Sequence, residues 1–218
     1  MLNRKLQVAA LVATCSLATL LLVQYWFSGS TAAEGSSMTE KDDGGVWLLP
    51  AEDPDPSPPR VRVEAGKTLV PTKLLTAEWL IGGKLTQEKE PAVVRWPRAV
   101  EVSSASPPRV LVFSKAAPQH VEVRIFDGGA DDARGAPSRA PIHTVVCRRT
   151  PQQPEHACLR RDHRGHFVDL PVLPAGSYKL AIFASWLPPP DYWRRQGAAE
   201  DPGDLFASWL AAFRLLAP

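Results

Sequence analysis

Asparagine is almost missing from this chain of 218 residues: Asn3 is the only one, so no N-glycosylation sequon lies in the body of the protein. Proline is missing from the first 49 residues, yet 22 prolines follow from Pro50 onward. That is about twice the usual ~5%. An interior proline costs a helix about 3 kcal/mol or more, so this part of the chain is not a helix bundle. No sign of charge dominates, with 25 Lys+Arg against 23 Asp+Glu, and Arg4 and Lys5 alone supply the difference. A polyanion-binding protein carries a strong basic surplus, so nucleic acid is not an expected partner. Long apolar runs are too few for a polytopic membrane protein, while a hydrophobic fraction of 44% is too high for a disordered chain. There is no G-x-S-x-G, H-E-x-x-H, C-x-x-C or glycine-rich phosphate loop. No catalytic set, metal site or cofactor is therefore expected, and the chain reads as non-enzymatic.

The one long apolar run is at the N-terminus. Met1–Lys5 is a short positive segment, and residues 6–27 follow without a charge, ending in Tyr25-Trp26-Phe27. Twenty-two helical residues reach about 33 Å, enough for a bilayer core of about 30 Å. A signal-peptide core is shorter, about 7–15 residues. Residues 1–27 are read as a signal anchor; the alternative is a cleaved signal peptide with small residues at Thr31-Ala32-Ala33. The positive-inside rule keeps Arg4 and Lys5 in the cytoplasm, and either reading places residues 34–218 outside it. Membrane contact is expected through residues 6–27. Cys15 sits mid-span behind Thr14 and does not suit lipid attachment.

Residues 28–60 read as a flexible linker, Ser/Gly-rich first and proline-rich from Pro50 to Pro59. Val46-Trp47-Leu48-Leu49 interrupts it, either docking on the domain as an edge segment or serving as a short sticky motif. From residue 61 to 218 the texture is short apolar alternation punctuated by Pro and Gly. Strands are expected at 60–65, 77–81, 92–102, 109–114, 120–127, 142–147, 156–161, 166–170, 177–186 and 205–216. In residues 120–127, Val121, Val123 and Ile125 share one face. In 177–186, Tyr178, Leu180, Ile182, Ala184 and Trp186 do the same. Residues 205–216 fit either a helix or a strand; strand is chosen because the preceding strand needs an antiparallel neighbour. The fold expected is a single all-β, immunoglobulin-like antiparallel β-sandwich.

The stretch Leu173-Pro-Ala-Gly-Ser-Tyr-Lys-Leu-Ala-Ile-Phe-Ala-Ser-Trp186, with Gly203-Asp204 and the aromatic closing segment, resembles the last two strands of exported bacterial immunoglobulin-like domains. Val63-Glu-Ala-Gly66 and Ala77-Glu-Trp79 are similar to the beginnings of such domains in small envelope lipoproteins. The resemblance implies a β-sandwich and an envelope location over residues 60–216 and brings no active site. The chain departs from those lipoproteins in lacking the lipid-attachment cysteine.

Cys147 and Cys158 are the only cysteines outside the apolar span. In an oxidising compartment the expectation is a disulfide. The competing readings are free thiols and a metal-binding or enzymatic cluster around residues 143–166, drawing on Cys147, Cys158, His156, His163 and His166. His163-Arg-Gly-His166 reads as a hairpin turn with both histidines in solvent, and His120 and His143 as outer-face residues. Asp127-Gly-Gly-Ala-Asp-Asp132 lacks the spacing of a calcium loop and reads as a solvated turn. The long loop from Leu187 to Asp204 carries Tyr192, Trp193, Arg194 and Arg195, residue types enriched at binding hot spots. These four are the candidate binding residues, as an aromatic platform with guanidinium donors for an envelope protein or a wall glycan. The competing reading folds the two aromatics back over the open end of the sandwich.

Overall fold

A computed structural model describes residues 52–82, 84–103, 106–148, 158–189, 191–197 and 203–217. The expected membrane span at 6–27, the linker as far as residue 51, Val46–Leu49 and His156 lie outside the described residues. Among the described residues no helix is long and apolar enough to cross a membrane.

Two antiparallel sheets face each other across one core, and four helical residues are the only α-helix among those described. The smaller sheet contains β1 (Arg60–Ala65), β2 (Thr68–Pro71), β6 (Arg109–Phe113), β9 (Leu159–Asp162) and β10 (Gly165–Asp169), in the order β2-β1-β6-β10-β9. The larger contains β3 (Lys73–Ile81), β4 (Lys84–Glu88), β7 (His120–Asp127), β8 (His143–Arg148), β11 (Gly176–Trp186) and β12 (Leu205–Leu216), in the order β4-β3-β12-β11-β7-β8. β5 (Val100–Ser103) pairs in parallel with the last residues of β12, beyond the end of β3. The helix, α1, is Tyr192–Arg195.

The core follows from side-chain alternation. Val61, Val63 and Ala65 of β1 face Val121, Val123 and Ile125 of β7 and the inward set of β11, and all are buried. β12 is a strand, as its antiparallel partner requires: Gly176 to Trp186 pair residue by residue with Leu215 to Leu205. Three tryptophans fill one end, Trp186 meeting Trp79 edge-on at 5.1 Å and Trp209 at 6.5 Å. Two of them bond through their polar edges: Trp186 Nε1 donates to the Ala116 carbonyl and Trp79 Nε1 to the Asp55 carbonyl.

Four features differ from the sequence expectation. The segment 92–102 is not one strand, because Pro97 cannot donate to a ladder; only Val100–Ser103 pairs. Val94 and Trp96 instead lie over the outer face of the larger sheet, in a second apolar cluster with Leu75, Phe126, Ala181 and Leu210. β2 and β4 were not anticipated, since a four-residue strand ending in proline and a wholly exposed KLTQE carry no hydrophobic alternation. The proline-rich linker ends earlier than residue 60, for residues 52–59 lie against the sandwich with Pro54 and Pro59 buried.

The 92–99 crossing is held by the loop after β7. Val94 N–H donates to the Arg134 carbonyl and Trp96 Nε1 to the Gly135 carbonyl. Gly135 has φ 79°, and a Cβ there would lie 2.0 Å from the Val94 carbonyl oxygen. Gly82, with φ 58°, faces open space. Both Gly→Ala changes carry the left-handed backbone cost of about 1–2 kcal/mol, but only Gly135→Ala also separates the two loops. Urea unfolding should therefore show a larger loss for Gly135→Ala than for Gly82→Ala; equal losses would mean that the crossing contributes nothing to the fold.

Candidate functional site

The loop after β11 begins with Pro188 and Pro189, both buried, and turns into α1 through a bond from the Tyr192 N–H to the Pro189 carbonyl. One helical turn sends consecutive side chains in different directions, and it divides the four candidate residues in two. Tyr192 and Trp193 are 3% and 4% exposed, pack edge-on to each other at 5.3 Å, and belong to the main core. They are not an exposed platform: burying two large aromatic surfaces over the open end of the sandwich is worth more than leaving them in water. Burial, followed by the nearby Asp53 charge, raises the pKa of the Tyr192 phenol.

Arg194 and Arg195 remain at the surface. Arg195 forks onto Asp53 at 2.7 and 2.9 Å and also meets Asp191 at 2.8 Å. The hydrogen bonds it donates to Asp53 raise the pKa of its guanidinium. Asp55 adds a second tie by accepting from the Lys115 N–H, and Glu52 a third with Arg161 at 3.8 Å. Three acids of the incoming segment thus bind three places on the same end of the sandwich. Arg194 has no ion-pair partner among the described residues. The acids Glu52, Asp53 and Asp55, spaced between prolines, were the available signal for this docking.

Cys147 and Cys158 are joined as a disulfide, with Cα atoms 5.8 Å apart. Cys147 lies in β8 at the edge of the larger sheet and Cys158 directly precedes β9 at the edge of the smaller one, so the bond clips the two sheets together. His163 is exposed at the β9–β10 turn, as expected, but His166 is buried, because it precedes the core strand residues on the inward face of β10. His143 is exposed on β8 and His120 half-buried. No group of three or more metal-ligating residues occurs among the described residues. The carboxylates of the 127–132 loop are already engaged: Asp127 by Arg139, Asp131 by Lys179 at 2.6 Å, and Asp132 by the Arg134 and Ala136 N–H groups.

Two outer faces carry side chains that the sequence reading did not single out. On the smaller sheet, Asp162, Arg164, Glu64, Arg109, Asp169 and Arg160 form one connected ion-pair chain, with the Arg109 guanidinium 4.7 Å over the Phe167 ring. On the larger sheet, Phe183 and Phe206 stack at 6.1 Å and 30°, with His120 edge-on to Phe183 at 5.7 Å. Beside them, Glu122 takes a 2.6 Å bond from Arg124 and lies 3.7 Å from His120. Burial alone would push the Glu122 carboxyl up, but His120 and Arg124 outweigh it and hold the pKa below its ordinary value. The arrangement is an aromatic pair beside a charged cluster whose groups bond to one another, with the Arg124 and Glu122 side chains 11% and 12% exposed.

Comparison with known families and with curated proteins gives no match to this chain.

Two outcomes check this geometry. The double change Tyr192→Ala with Trp193→Ala should cost several kcal/mol, since each truncated buried aromatic costs about 3–5 and contacting sites are not strictly additive; Arg194→Ala should stay within about 0.5. A double variant that melts like the parent would place the rings outside the core. For Glu122, the lowered folded pKa means stability that is present above its ordinary pKa and lost as pH falls through the folded value. Glu122→Gln should accordingly flatten the acid limb of the pH–stability curve while changing its alkaline side little.

Proposed function

We propose that this protein is a membrane-anchored, extracytoplasmic binding module of the cell envelope: a non-enzymatic immunoglobulin-like sandwich held by residues 6–27 and a linker, which engages an envelope protein or a wall glycan. The observation that carries the location is the Cys147–Cys158 clip between the two sheets, since such bonds persist in oxidising compartments. The immunoglobulin-like reading is supported by strand order. β1-β6-β10-β9 matches the A-B-E-D sheet, and β12-β11-β7-β8 matches G-F-C extended by C′. It is supported further at the start of β11, where Tyr178 Oη donates to the Pro174 carbonyl four residues upstream at 2.7 Å, the arrangement called a tyrosine corner. The cysteines depart from that family's usual bridge, which joins B to F. Fold alone does not assign a function, so the binding role is attached to the Phe183–Phe206 face with Glu122 and Arg124.

The full-length chain should fractionate with membranes. Cys147 and Cys158 should resist a maleimide reagent until reductant is added, and protease supplied from outside should release the sandwich. A soluble cytoplasmic chain with two reactive thiols would overturn the location. For binding, Phe183→Ala with Phe206→Ala should abolish retention on wall glycan or capture of an envelope protein, whereas Arg139→Ala at the opposite end should leave both intact. Unchanged retention by the double variant would remove this face from the proposal.

A further inference from the structure

A sheet's edge strand offers unpaired N–H and C=O groups, and its sequence decides whether another strand can use them. Among the described residues five strands are edges; β5 has only four residues and pairs with β12 alone. β2 is short and ends in Pro71, which has no N–H to donate. β9, paired with a copy of itself about Arg160 or Arg161, sets that arginine against its own copy, like charge on like charge. β8 paired with itself about Val145 or Val146 brings His143 or Val145 against Cys147, which is tied down by the disulfide. β4 differs from the other four. Its five residues, Lys84-Leu85-Thr86-Gln87-Glu88, are all exposed, and β3 occupies only one of its sides.

We propose that β4 is a self-association edge that pairs antiparallel with β4 of a second copy of this chain, about a two-fold axis through Thr86. In that register Lys84 faces Glu88 of the other copy and Glu88 faces its Lys84, so the charge pattern is complementary twice over by symmetry. Leu85 faces Gln87, and the two copies of Leu85, 43% exposed in the single chain, become diagonal neighbours across the axis. The register is centred on a residue, so it is compatible with the ladder whichever of the alternate residues of β4 point their N–H groups outward. It joins two large sheets into one continuous sheet. A five-residue ladder buries far less than about 1,000 Å², so the pairing is weak and depends on local concentration. The inference stands on the edge itself and is independent of the function proposed above.

The experiment uses the full-length chain. In the proposed register the two Thr86 Cα atoms lie about 4.5–5.5 Å apart, within disulfide reach, while the two Gln87 Cα atoms are beyond about 7 Å. Thr86→Cys should give a reducible dimer under mild oxidation, and Gln87→Cys should give several-fold less. In the Thr86→Cys background, Lys84→Glu or Glu88→Lys alone should lower the yield several-fold, and the two together should restore it. Equal cross-linking of Thr86→Cys and Gln87→Cys would overturn the register. A double swap that stays as poor as either single change would overturn the charge pairing. A cross-linked product whose mass is not twice that of the chain would show a different partner on this edge and overturn self-association.

Discussion

Eleven consecutive residues of β11 pair one for one with β12, from Gly176–Leu215 to Trp186–Leu205. The register of this hairpin governs the rest of the sandwich, because β12 is buried on both faces. A one-residue slip would send Trp209 and Phe213 out of the main core and bring Ser208 and Ala212 in. β3 and β5 dock one after the other along the free side of β12, and β7 completes the far side of β11. The register shift at Ser208/Trp209 is where the β3 pairing adjusts to a closing strand already fixed by β11.

Alternation made the inner face legible. Val121, Val123 and Ile125, and Tyr178 through Trp186, were readable as a core face because each strand has water or a second layer on its other side. The outer face of the larger sheet was not readable in this way. Phe126, Ala181 and Leu210 break the alternation since they lie under Val94 and Trp96, a cover supplied by a segment distant in sequence. The polar β4 was invisible for the opposite reason: an edge strand with nothing packed on it carries no apolar pattern. At the candidate site, residue type alone placed Tyr192 and Trp193 among binding hot spots. A single turn of helix, together with the partner waiting at Asp53, decided which side chains went inward and which stayed outside.

The two outer faces have different characters. The smaller sheet closes its charges on one another, so Arg109 and Arg164 are each held by two groups and offer little to a ligand. The larger sheet keeps a half-buried aromatic pair beside the shielded Glu122 and Arg124, on the face that β4 borders. A strand joined at β4 would extend that sheet rather than cover its face.

The route by which the chain reaches the sandwich also has a mechanical meaning. Tension from the N-terminal side meets the Asp53–Arg195 fork and the Asp55 contacts before it reaches any strand. Past them it arrives at Arg60 and runs along the axis of β1, which is laddered to β2 on one side and β6 on the other. A pull in that direction shears both ladders at once instead of opening them bond by bond. The incoming segment is thus a release that yields first, set in front of a strand whose geometry resists extraction.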